Sequence, residues 1–329
     1  MESSSSMSST VLVVIFFFLS TSLSLYFHGG EAAVVIVSKD GDGDFRSVSE
    51  AIEKAPEFSD EPYTIQVRSG TYNEYVVVRP EKTNIKLVGE GPTQTRIVGS
   101  LHGTTLDVRG DGFVAENIGL LNSAGLKASA AVTVRNEAKN SIFFQCSIEG
   151  FQDTLWAVAG RQFYKNCDIY GTVDFIYGNA AAVFQDCNLY ARYRPYVTFT
   201  AQSRDSPDEN TAFAFQHCHF TMAPEDAAMK SKVRATLGRP WRPYSTVAVI
   251  DSFIDSMVDP KGWEEMQGQP TDRVTYVEFN NYGPGSNTSG RVNWPGVRVL
   301  NDPNEAQPFT ASALLDADSW IPDKGIPYN

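Results

Sequence analysis

Basic residues are scarce in this chain. Its 329 residues include 27 Lys and Arg against 39 Asp and Glu, for a net charge of −12, and no run of basic residues occurs anywhere. Gripping a nucleic-acid backbone takes clustered positive charge, so nucleic acid is not an expected partner. Histidine is nearly absent, with four in all, and neither H-E-x-x-H nor G-x-S-x-G is present. That removes the usual metal-dependent and serine-nucleophile routes to hydrolysis. His217 and His219 flank a cysteine without a third ligand and are read as structural. The four cysteines, Cys146, Cys167, Cys187 and Cys218, form no C-x-x-C pair, so a zinc site is not expected either. Low-complexity sequence is confined to the first few residues, while hydrophobic residues make up 42%. Such a chain can bury a large core and is not disordered.

Long apolar runs are missing too, with one exception. Val11 to Phe27 is apolar or small hydroxyl throughout, and Gly29, Gly30, Ala32 and Ala33 follow. This reads as a secretory signal over residues 1–33, although the usual basic start is lacking. The alternative is a membrane anchor, since 17 residues lies near the lower limit for a span. Removing the segment takes away Glu2 and Glu31 and leaves a mature charge of −10. Export makes disulfides available, and the sequon Asn287-Thr288-Ser289, in a Gly/Pro-rich stretch, becomes a glycosylation candidate.

What is present is a repeat. Phe144-Gln-Cys146-Ser-Ile148 recurs around Cys167, Cys187 and Cys218, at spacings of 21, 20 and 31. Polar substitutes extend it to Asn117-Ile118 before and Ser252-Phe253 after. Each unit is a short β-rich run whose cysteine and second-next residue share a face. A period near 20–21 residues leaves no room for crossover helices and fits one coil of a right-handed parallel β-helix, an all-β fold; an ordinary β-sandwich is the alternative. The open end of such a stack needs cover. Ser47-Val-Ser-Glu50 is a capping box leading into a short amphipathic helix that would supply it. Pro and Gly from Pro260 onward predict long loops. Residues 34–329 read as one domain. Cys187 and Cys218, on successive coils, are the expected disulfide, with Cys146 and Cys167 stacked as buried thiols.

The repeat turns chemical at Cys146-Ser-Ile-Glu-Gly150-Phe-Gln-Asp153 and Cys167-Asp-Ile-Tyr-Gly171-Thr-Val-Asp174, both C-x-I-x-G-x-x-D. Stacked in register, Asp153 and Asp174 lie roughly 4.8 Å apart. Two carboxylates that close cannot both ionise easily, which separates an acid from a nucleophile or base. Gln152 offers an amide donor for a developing oxyanion. Arg239, in Leu237-Gly-Arg-Pro-Trp241, is the best source of a cation to keep one aspartate charged. Phe151, Trp156, Tyr177, Trp241 and Trp263 are the aromatics available to stack on sugar rings, and two or three of them are expected to do so.

At these residues the chain resembles the plant pectin methylesterases. SKDGDGDFRSVSEAIEKAP, GFQDTLW, YGTVDFIYGNAAAVFQ, LGRPW and DSWIPDKGIPYN carry the resemblance. It implies a right-handed parallel β-helix that needs no cofactor and hydrolyses galacturonate methyl esters in cell-wall pectin. It casts Asp174 as nucleophile, Asp153 as acid and then base, Gln152 as oxyanion donor, Arg239 as the group holding Asp174, and Trp241 as a sugar subsite. Phe151 and Ser100 join the expected substrate contacts, Ser100 where the family commonly has threonine. A secreted monomer is expected, with a proteinaceous pectinesterase inhibitor as a further partner and no inhibitor-like prodomain. One departure stands out: the family's other oxyanion glutamine, in a QAVAL segment, is here Ala130. A missing donor costs about 10²–10³ in rate. Two further readings therefore stay open, a pectin-binding relative with little activity and a retaining glycosidase, which also uses carboxylates about 5 Å apart.

Overall fold

The computed structural model describes residues 33–100, 103–126 and 130–328. The signal expected over residues 1–33 lies outside them, apart from Ala33 in the first strand. The chain winds into three parallel sheets of eleven, seven and eight strands. Successive central coils add one strand to each, and the terminal coils add to the eleven-stranded sheet alone, which is the expected parallel β-helix. The short period holds in the middle, where Ile142 pairs with Phe163 and Phe163 with Val183 at steps of 21 and 20 residues, and returns near both ends, where Tyr63 pairs with Ile85 and Tyr276 with Val297 at steps of 22 and 21. Elsewhere the turns lengthen, and Val183 to Ala214 is a step of 31.

In-register stacking places like residues on top of one another. Inside the coil Phe143, Tyr164, Phe184 and Phe215 form a column with ring centroids 5.2, 4.6 and 4.6 Å apart. Beside it run the four cysteines, and here the structure corrects the sequence reading. Cys187 and Cys218 are free buried thiols, as are Cys146 and Cys167. Each sulfur donates to a backbone carbonyl of the preceding coil: Cys167 to Phe143 at 3.3 Å, Cys187 to Tyr164 at 3.5 Å, Cys218 to Phe184 at 3.3 Å. Parallel side chains on adjacent strands stand roughly 4.8 Å apart, wider than the roughly 3.8 Å between the Cβ atoms of a disulfide. Ser252 continues the column, its hydroxyl accepting from Cys218 N–H at 3.0 Å.

The predicted helix spans Val48–Lys54 and buries Val48, Ala51 and Ile52 against the first strands. Ser47 caps it through Glu50 N–H, at 3.1 Å. The other free amides of that first turn, Val48 and Ser49, go to the Glu74 carboxylate at 3.0 and 2.9 Å, so a residue distant in sequence completes the cap. Beyond Pro260 the loops are long, as expected, but two further strands, Thr275–Phe279 and Val297–Leu300, extend the eleven-stranded sheet. Helix Ala311–Leu315 then lies back across the outside of that sheet, covering Ala181, Val183 and Ala214.

Candidate active site

The two aspartates occupy equivalent turns one coil apart. Leu155 pairs with Ile176 and Trp156 with Tyr177, a step of 21 that also carries Asp153 onto Asp174. Asp153 N–H donates to the Val173 carbonyl at 3.1 Å. The glycine of the shared motif has a steric reason. A Cβ on Gly150 would lie 2.6 Å from Thr154 Oγ1, and one on Gly171 only 2.1 Å from Phe175 Cβ. The turn closes that tightly because each aspartate takes a left-handed conformation, with φ of 61° at Asp153 and 50° at Asp174. Asp and Asn tolerate this region better than other non-glycine residues.

Their surroundings then separate them. Arg239 forks onto Asp174, with Nε to Oδ1 at 2.9 Å and Nη2 to Oδ2 at 2.7 Å, a bidentate, charge-assisted pair. The turn carrying Arg239 is tied to the neighbouring coil by Arg239 N–H on Thr200 O at 3.0 Å and Trp241 N–H on Gln202 O at 3.1 Å. Glu264 stands 3.7 Å from the guanidinium. Asp153 has no hydrogen-bond partner for its carboxylate among the described residues. Burial, reinforced by the charge of Asp174 and opposed by Arg239, pushes its pKa up to about 7. One carboxylate is thus held by a cation, and its neighbour holds a proton to near neutrality.

Gln152, Asp153, Asp174, Tyr177, Ala201, Trp241 and Met266 enclose a cleft of about 210 Å³. Of the five candidate aromatics, Tyr177 and Trp241 are walls. Trp156 stacks on Tyr177 at 5.5 Å. Trp263 is fully buried, stacked on Tyr276 at 4.2 Å. Phe151 lies under the Arg192 guanidinium at 5.0 Å. Ser100 is not among the cleft walls; it is exposed and bonded to Tyr75. Ala130 is exposed, and the next residue, Ala131, donates to the Gln152 carbonyl at 3.2 Å. Its methyl group brings no donor to the site.

Met266, Ala201 and Arg192 carried no local sequence signal. Arg192 donates to Gly150 O at 3.1 Å and to Glu149 at 3.0 Å, and lies between Phe151 and Tyr170. It braces the turn that presents Gln152. Only its arrival two coils later in the stack reveals that.

Fold and site together define a parallel β-helix protein with a carboxylate-centred cleft. A family model described as Pectinesterase matches residues 34–318. "Pectinesterase 2" of Citrus sinensis is 40% identical over 308 residues, covering 90% of this chain and 60% of the Citrus sequence. The structure of pectin methylesterase from carrot matches with a TM-score of 0.88 at 37% identity, over 92% of this chain and 99% of that one. A pectin methylesterase in complex with hexasaccharide VII matches with a TM-score of 0.73 at 25% identity, over 87% and 98% of the two chains. The chain belongs to the pectinesterase family. It spans about three fifths of the length of its Citrus relative.

Proposed function

We propose that this protein hydrolyses the methyl esters of galacturonate units in pectin, releasing methanol. Asp174, held by the Arg239 fork, attacks the ester carbonyl. Electron density moves onto the carbonyl oxygen, where the Gln152 amide donates to it. As the tetrahedral species collapses, the C–OCH₃ bond breaks and the methoxy oxygen takes the Asp153 proton. Asp153, now a carboxylate, removes a proton from water, which cleaves the acyl-enzyme and restores both groups. Trp241 lines the sugar subsite, and Phe151 and Ser100 extend the contacts along the polysaccharide. The observation that carries this reading is the asymmetry of the pair: a forked Asp174 beside a buried Asp153 that stays protonated to about pH 7. The hexasaccharide held by a related methylesterase supports an oligosaccharide ligand.

The setting follows from the same reading: a secreted, monomeric, cell-wall enzyme, glycosylated at the exposed Asn287 and open to a proteinaceous inhibitor. Methylated stretches are the preferred substrate, because an acidic protein repels de-esterified polyanion. Methanol release from highly methylated pectin tests the activity, with Asp174→Asn as control. Methanol that vanishes in the variant supports the esterase. New reducing ends would instead mark a glycosidase. Binding without methanol would mark a pectin-binding relative, the reading that Ala130 favours.

A further inference from the structure

The Tyr177 hydroxyl has no hydrogen-bond partner among the described residues, although the residue is only 8% exposed. The oxygen itself is not sealed from solvent, and the ring is a wall of the cleft that holds Gln152, Asp153 and Asp174, so the hydroxyl is free to bond a molecule that enters the cleft. The ring cannot swing away freely. Trp156 stacks on it at 5.5 Å with planes 13° apart, and Trp241 meets it at 5.7 Å. Burial and the charge of Asp153 raise the phenol's pKa, against a smaller lowering by Arg135, two strands away in the same sheet. It therefore stays neutral, a donor, throughout the range in which Asp153 titrates. At the same site Ala130 leaves Gln152 as the one side-chain amide among the cleft walls.

We propose that the Tyr177 hydroxyl is a catalytic donor, hydrogen-bonding alongside Gln152 to the carbonyl oxygen that gains charge when Asp174 attacks. This rests on the esterase reading above. The phenol keeps its proton throughout and neither gains nor loses electrons in the cycle. It acts by stabilising the tetrahedral species, so its effect falls on kcat.

The test is steady-state methanol release by the wild type, Tyr177→Phe, Ala130→Gln and the double variant, each checked for an unchanged thermal unfolding midpoint. Phenylalanine keeps the ring between its two tryptophans and removes only the hydroxyl. Tyr177→Phe is expected to lower kcat about 10²-fold with KM within about twofold. Ala130→Gln is expected to raise the activity of the Tyr177→Phe protein far more than that of the wild type, since a glutamine there would supply the lost donor. Unchanged kcat in Tyr177→Phe from an active wild type overturns this proposal and leaves the esterase standing. A raised KM with unchanged kcat also overturns it, assigning the hydroxyl to sugar binding. A folded wild type that releases no methanol overturns both.

Discussion

Two rows of residues in this molecule adopt the same left-handed backbone. One runs up the bend that follows the eleven-stranded sheet: Asn117, Gln145, Asn166, Asp186, His217, Asp251 and Asn280, all with φ between 48° and 55°. The other is the short row of Asp153 and Asp174 on the turn into the seven-stranded sheet. Both rows exist because a coil must turn a tight corner at the same place in every repeat. In the long row the side chains face water, one another, as where Asn280 donates to Asp251, or a neighbouring cation, as where Asp186 is paired with Lys165. In the short row one carboxylate is forked by Arg239, and the other is buried without a partner. The backbone device is shared; withdrawal from water and the choice of partner convert it into a reactive pair.

The sharpest way to break this comparison is to make one exchange in both rows. Asp174→Asn is expected to cut methanol release by at least about 10³-fold, as loss of a nucleophile does, whereas Asp186→Asn leaves it unchanged. Equal losses would mean that the turn geometry, not the carboxylate, matters. The cations give the next largest contrast. Arg239→Lys breaks the two-point fork on Asp174 and is expected to lower kcat about 10- to 100-fold, the worth of a charged hydrogen bond. Lys165→Arg, beside Asp186, is expected to leave kcat alone.

The acid role proposed for Asp153 predicts a pH limb. With its pKa raised to about 7, the proton needed by the leaving methoxy group is lost above that value. The acylation step should therefore fall on the alkaline side with a midpoint near 7. The same shift bears on stability with a fixed sign. A carboxyl whose native pKa exceeds its unfolded one favours the fold at low pH and loses that advantage as pH rises through the native value. Asp153→Asn removes the penalty of ionising in place, so its unfolding midpoint should exceed the wild type's at pH 8 and approach it at pH 4. A gain of roughly 2–4 °C is expected for each kcal/mol recovered. An identical gain at both pH values would mean that burial does not burden the carboxylate.

The pairing of Asp153 with Asp174 was legible in the sequence because a repeat converts spacing into register: seven residues from cysteine to aspartate, twice, can stack only one way. The coil architecture was legible for the same reason. The Cys187–Cys218 bridge was misread because proximity was inferred without direction, and the stack holds the two sulfurs side by side, each bonded to a carbonyl. Arg192, Met266 and the Glu74 cap were invisible because each reaches its place from another coil, at a position that the cysteine-centred repeat does not mark. Trp263 shows the converse: composition marks an aromatic but not whether the next coil will cover it.

The smallest expected effect probes the cost of the corner itself. Gln145 is exposed, has φ of 53° and makes no side-chain hydrogen bond to a described residue. Glutamine lacks the short side chain that lets Asn and Asp settle in this region, where an ordinary residue loses roughly 1–2 kcal/mol. Glycine removes that cost but adds about 0.5–1 kcal/mol of chain entropy. Gln145→Gly is thus expected to stabilise the fold by no more than about 1 kcal/mol, read as a small rise in the denaturant midpoint with an unchanged slope, and methanol release should not move. The corresponding exchange at Asp153 frees the same strained backbone yet removes the proposed acid, so activity is expected to collapse while the turn relaxes. A destabilised Gln145→Gly protein would show instead that the long row is held by its side chains, and the two rows would differ in more than chemistry.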